Sequence, residues 1–180
     1  MRPYGEIDGI SILIRAFGIV RSKYPDVKLV LAGDSTDVPM QKKLVESLGI
    51  EDSVVFLGRV SRDAVPQLLA DATILALASP TSDRACASMP CKVGEYLCTG
   101  NPVVVTGLGE INKYLKDGVS AYLSKPDSAE AFADKLDEVL SDYEKAYTIG
   151  LAGKEVAIKS FGSEAQVKRV EAFYKEVMNS

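Results

Sequence analysis

"CKVGEYLCTGNPVVVTGLGE", residues 91–110, carries the reading that decides the fold. A helical segment of roughly 92–99 closes at Gly100, "TGNP" turns the chain, "PVVVT" (102–106) is an apolar run, and "TGLGE" is a glycine-rich turn opening another helix. A strand that is apolar at nearly every position is buried on both faces, as in a parallel sheet covered by helices.

The same alternation extends in both directions. Ile10, Leu13, Ile14 and Phe17 recur at helical spacing, and "KYPD" (23–26) stops that helix. "VKLVLAG" (27–33) reads as a buried strand, Leu44, Val45 and Leu48 mark a helix capped at Gly49, and "SVVFLG" (53–58) is a second strand. "AVPQLLADA" is a short helix with Pro66 in its first turns, and "TILALAS" (73–79) is a third strand. Beyond residue 106 come a helix near 109–116, a short strand "AYLS" (121–124), and a helix 128–141 opened by the capping-box pattern of Asp127 and Glu130. The tail is helical, with Val167, Val170, Tyr174 and Val177 on one face. The class is α/β: a Rossmann-like doubly wound parallel sheet in a single domain, 1–180. Such a sheet ordinarily opens on a strand, whereas "MRPYGEIDG" is turn-like and leads directly into a helix, so the expectation is a piece of a longer protein.

Composition narrows the function. Hydrophobic residues make up 47% and charged residues 26%, the balance of a globular chain, and no apolar run approaches the roughly 20 residues of a membrane span. The N-terminus lacks a signal-peptide pattern, which points to the cytoplasm. A net charge of −4 gives no reason to expect a nucleic-acid partner. Cys86, Cys91 and Cys98 fall within thirteen residues, but with no histidine they complete no four-ligand zinc site without carboxylates. The expectation is no metal and reduced thiols, two on a loop and one in a helix. The lack of histidine also excludes Ser-His-Asp and Cys-His catalysis.

In open parallel sheets ligands bind beyond the carboxyl ends of the strands, where helices present unpaired N–H groups. The candidates there are Gly33-Asp34, Gly58-Arg59, Ser79-Pro80 with the loop to Cys91, and the turn holding Gly107 and Gly109. The dinucleotide fingerprint fails, because Asn112 stands where a third glycine belongs, and no Walker-type lysine follows the glycines. Gly33 and Gly58 serve equally as strand-ending glycines, and Arg59 as a solvated charge. Glu95, in the first turn of its helix, is placed to accept two hydrogen bonds from a ribose, and Lys92, three residues earlier, faces the same way to neutralise a diphosphate. The alternative for these two is a Lys–Glu surface pair.

Four stretches together resemble the C-terminal, donor-binding domain of GT-B glycosyltransferases, glycosyl transferases group 1. They are "GISILIRAFGIVRSKYPDVKLVLAGDS", "VVFLGRVSRDAVPQLLADATILALAS", "MPCKVGEYLCTGNPVVVTGLGEINKYLKDGVSAYLSKPDS" and "SFGSEAQVKRVEAFY", in the family's order over nearly the whole chain. The resemblance implies that "PCKVGEYLCTGNPVV" is a Pro-x-Lys-x-x-Glu-Tyr variant of the donor motif, with Glu95 on the ribose hydroxyls, Gly94 beside it and Lys92 on the diphosphate. It places Gly58 and Arg59 near base and diphosphate, Ser79 near the donor sugar, and the closing helix against an N-terminal domain.

The implied activity is retaining transfer of a sugar from a nucleotide-diphosphate donor, UDP- or GDP-linked. The acceptor, a sugar, a lipid-linked molecule or another, is held mainly by the N-terminal domain, which is absent here along with the first strand and which could carry a peripheral membrane association. No cofactor is implied; the fragment alone is expected to be inactive, and the sequence identifies no catalytic residue. Two departures stand out. Ala87 occupies the position of the family's first motif glutamate, with Asp83 no assured substitute, and Asp8-Gly9 stands where Lys-Gly is common, with Arg2 as a substitute charge. These favour, as an alternative, a noncatalytic nucleotide-sugar-binding module. A receiver-like signalling domain needs an acidic cluster of which only Asp34 is clearly present.

Overall fold

The computed structural model describes residues 9–178; Arg2 and Asp8, named above, lie outside them. Helices and parallel strands alternate: α1 (Gly9–Lys23), β1 (Leu29–Ala32), α2 (Val38–Ser47), β2 (Val54–Gly58), α3 (Val65–Ala70), β3 (Leu75–Leu77), α4 (Asp83–Ala87), α5 (Cys91–Thr99), β4 (Val103–Thr106), α6 (Ile111–Tyr114), β5 (Tyr122–Ser124), α7 (Ala129–Ser141), α8 (Tyr143–Phe161) and α9 (Ser163–Met178). This is the expected α/β architecture, with every strand end within two residues of the end of its apolar run.

The strands form two parallel pieces, β1-β2 and β3-β4-β5. Leu29 pairs with Val54 in the first, and Val104 with Ala76 and Tyr122 in the second. Among the described residues only β4 is buried along its whole length. β1 and β2 expose alternate residues, Val30, Val55 and Leu57 among them, so the expectation of burial on both faces fails for these two. The reason is coverage: α1 and α2 pack one face of the pair through Ile14, Phe17 and Val45, and no described residues form an equivalent layer on the opposite face.

α1 joins the two pieces. Its Ile14 and Phe17 pack with Val45 and Val54, while its Ile12, Leu13, Ala16 and Val20 belong to the cluster of Val104, Phe132 and Leu136. Leu29 and Leu31 of β1 touch both groups. Burying each large aliphatic side chain stabilises by about 1.5–3 kcal/mol, so this shared seam holds the two pieces together. At the end of α1, the Lys23 ammonium and Tyr24 hydroxyl both donate to Asp137 on α7, at 2.6 and 2.8 Å.

Local chemistry corrects three expectations. The cap of α7 is Ser128, whose Oγ accepts from Ala131 N at 3.0 Å, while Asp127 adopts φ 58° and accepts from Thr81 N at 2.8 Å. All three cysteines lie in helices: Ser82 caps α4 around Cys86, and Pro90 precedes α5, which starts at Cys91 and contains Cys98. Because α5 starts there, Glu95 is its fifth residue and falls in the second turn. Gly100 ends α5 at φ 83°, as its position predicts.

Candidate functional site

Consecutive parallel strands place their following loops along one edge, where three of the loops are tied down. Gly33 N donates to Gly58 O at 2.8 Å, Ser79 N donates to Thr106 Oγ1 at 3.0 Å, and Gly107 N donates to Ser124 O at 2.9 Å. Gly58 ends β2 at φ 63° with open space where a side chain would project, and Arg59, which follows, is exposed. The Gly107 N–H is therefore engaged within the fold.

Gly109 has a packing role as well. At φ 46°, a Cβ added to it would lie 1.8 Å from the Cys86 carbonyl oxygen, so the backbone of α4 rests directly on this turn. Gly9, at the start of α1, approaches the Ala78 carbonyl almost as closely, at 2.1 Å from an added Cβ.

Beside this edge an open groove of about 1270 Å³ runs between α3, α5 and the end of α8. Arg62, Met89, Pro90 and Glu110 line its end at the carboxyl edge, where α3 and α5 both start. Cys91, Gly94, Glu95 and Cys98 form one stripe of α5 along the floor, and Val65, Pro66 and Leu69 line the α3 side. Ile158 and Phe161 of α8 form the far wall, with Phe161 edge-on to Tyr114 at 5.0 Å. At about 1270 Å³ the groove exceeds the roughly 300–1,000 Å³ common for small-molecule sites, and like them it is mostly apolar with a few polar groups. The α3 wall is fixed by Asn101, whose Nδ2 donates to the carbonyls of Ala70 and Ala72 at 3.0 and 2.8 Å.

The groove separates the sequence candidates. Glu95 and Gly94 line it together, Gly58 and Arg59 lie on the strand-end loop leading to Arg62, and Ser79, Gly107 and Gly109 belong to the neighbouring loops. Lys92 is exposed beside the stripe and outside the lining, and no ion pair joins it to Glu95 among the described residues. In the second turn of α5, Glu95 stands beyond the N-terminal turn where a helix dipole acts most strongly. Burial pushes the Tyr96 phenol above its ordinary range, and the neighbouring Glu95 charge adds to the shift. Sequence reading passed over Arg62, whose only signal was its position four residues beyond Gly58. It also assigned no role to Tyr114; Glu110, which closes the glycine turn, accepts from Lys113 Nζ at 2.6 Å. Among the described residues no three of Cys, Asp and Glu converge as a metal would require.

Comparison with known proteins carries the same pattern further. The chain is 28% identical over 175 residues to N-acetyl-alpha-D-glucosaminyl L-malate synthase of Bacillus anthracis, covering 97% of this chain and 44% of that protein. It superimposes on the crystal structure of Anabaena Alr3699/HepE in complex with UDP with a TM-score of 0.81 and 25% identity, covering 93% of this chain and 45% of that one. The UDP-glucose complex of the same protein gives a TM-score of 0.80 at the same identity and coverage. The chain thus spans less than half the length of these relatives. Residues 5–156 match the family described as Glycosyl transferases group 1, and the chain belongs to that family.

Proposed function

We propose that this chain is the donor-binding part of a glycosyltransferase and that it holds a nucleotide-diphosphate sugar at the carboxyl edge of its strands. The observation that carries the reading is that Glu95 and Arg62 line one groove reaching that edge, with Gly58 and Arg59 on the loop that leads to Arg62. The carboxylate accepts the ribose hydroxyls, the apolar α3 side covers the base, and Arg59, Arg62 and Lys92 supply positive charge for the diphosphate. UDP is the favoured nucleotide, because the structural relative described above is complexed with UDP and UDP-glucose.

In the reaction, the sugar's bond to the diphosphate breaks, the acceptor hydroxyl oxygen takes the anomeric carbon with retention, and its proton passes to the departing diphosphate, which leaves as an anion. This half of the enzyme stabilises that anion with cationic side chains and helix N-termini, requiring no metal or other cofactor. The acceptor and an N-terminal domain complete the site, the latter braced by the exposed apolar face of α9 (Val167, Val170, Tyr174, Val177). By itself the chain binds nucleotide weakly and transfers no sugar. Among the described residues no helix is long and apolar enough to cross a membrane, and we place the reaction in the cytoplasm.

A noncatalytic binding module is the second reading, favoured by Ala87. It is exposed at the end of α4 where no carboxylate stands, with Asp83 one helical turn earlier. Calorimetric titration with UDP, GDP and ADP tests the binding claim common to both. UDP should bind preferentially, and Glu95→Ala should weaken it about tenfold or more, the scale of losing hydrogen bonds to a charged group. Silence with all three at millimolar concentration refutes it. Sugar transfer or donor hydrolysis by the longer protein separates enzyme from module.

A further inference from the structure

The helices that wall the groove meet at one turn, Gly100–Asn101, which follows α5 directly. From that turn the Asn101 side chain reaches the end of α3, where its Nδ2 donates to the carbonyls of Leu69, Ala70 and Ala72 at 3.4, 3.0 and 2.8 Å. Carbonyl oxygens only accept, so the amide nitrogen must be the group that faces them. The backbone of the same turn lies against α8: a Cβ added to Gly150 would stand 2.5 Å from the Gly100 carbonyl oxygen and 2.7 Å from the Asn101 carbonyl carbon. Its path out of α5 is set by Thr99, whose Oγ1 accepts from Asn101 N at 3.0 Å and donates to the Tyr96 carbonyl at 2.7 Å.

Of the three helices, α3 depends most on this anchor. It has six residues, too few for a helix that is stable on its own, and none of them is buried. Val65, Pro66 and Leu69 nevertheless form one side of the groove, and Arg62 lines it from the turn just before α3. We propose that Asn101 is a positioning residue for nucleotide binding, which from outside the groove lining holds α3 and Arg62 at a set span from Glu95 on α5. The role rests on the nucleotide reading given above. Its consequence for affinity follows from populations: if α3 is in place only a tenth of the time, the apparent Kd rises about tenfold.

The test measures UDP affinity by calorimetry and amide hydrogen exchange at 68–71 in the wild-type chain and four variants. Asn101→Asp keeps the size of the side chain but turns a carboxylate toward three carbonyls at a helix C-terminus, and Asn101→Ala only removes the donors. Asn101→Lys restores a donor with a charge that suits that end of the helix. Gly118→Ala strains a turn at φ 67° outside the groove lining and so reports the effect of lowered stability alone. Asn101→Asp should raise the UDP Kd about tenfold or more and speed exchange in α3. Asn101→Ala should move both in the same direction, while Asn101→Lys and Gly118→Ala stay within about twofold of wild type. Unchanged UDP affinity or unchanged α3 exchange in Asn101→Asp and Asn101→Ala, or an equal loss in Gly118→Ala, overturns the positioning role and leaves the nucleotide reading standing. A wild-type chain that binds no UDP at millimolar concentration overturns that reading, and the role with it.

Discussion

Replacing Gly109 by alanine tests how the strand-end loops are built. Two costs combine at this position. A side chain held at φ 46° costs about 1–2 kcal/mol, because the left-handed conformation crowds Cβ against the backbone. The added methyl also falls 1.8 Å from the Cys86 carbonyl oxygen, 2.5 Å from its carbon and 2.7 Å from its Cα, so α4 must move away, and overpacking of this kind costs about 1–3 kcal/mol. Gly118→Ala is the matched control, because Gly118 has φ 67° and open space around it and so carries only the conformational cost. In urea unfolding, Gly109→Ala should therefore lose about 1–3 kcal/mol more than Gly118→Ala. Limited proteolysis should cut residues 80–90 faster in the Gly109 variant. Equal losses and unchanged proteolysis would refute the seating of α4 on the glycine turn.

Gly153→Ala should destabilise although alanine favours helix by about 1 kcal/mol, because the methyl would stand 2.4 Å from the Ser120 carbonyl and 2.8 Å from Leu97. A rise in the urea midpoint would contradict the close seating of α8. Acid should weaken the fold through two carboxylates held below the ordinary aspartate range, Asp127 by hydrogen bonds from Thr81 and Asp137 by the Lys23 ammonium and Tyr24 hydroxyl. Depressed folded values mean that this stability is present above about pH 4 and is lost as pH falls through the folded values. Asp127→Asn with Asp137→Asn should flatten the dependence of the urea midpoint on pH below about 4; an unchanged slope would contradict the assignment. Lys23 is raised by the same pair, so its contribution is complete below the ordinary lysine value and fades only as pH rises through the higher folded one.

Much of the architecture is legible from local pattern. Val103–Val105 could only be a buried strand, Gly100 could only close a helix, and the order of elements follows from their alternation. What escaped depends on partners distant in the chain. Ser128 caps α7 because Thr81 draws the Asp127 carboxylate away, and Gly107 loses its free N–H to Ser124. The groove exists because Ile158 and Phe161 return to face Glu95 more than sixty residues later, so its lining beyond Gly94 and Glu95, Arg62 included, has no local signature. The exposed alternation in β1 and β2 reflects coverage of one face only by the described residues, which an apolar run cannot report.

The central claim is that nucleotide occupies the groove at Glu95. Amide chemical-shift mapping during a UDP titration tests it most directly. The account predicts shifts concentrated at Gly58–Arg62 and Cys91–Cys98, and their loss in Glu95→Ala. Shifts confined to other surfaces, or none at millimolar UDP, would contradict it.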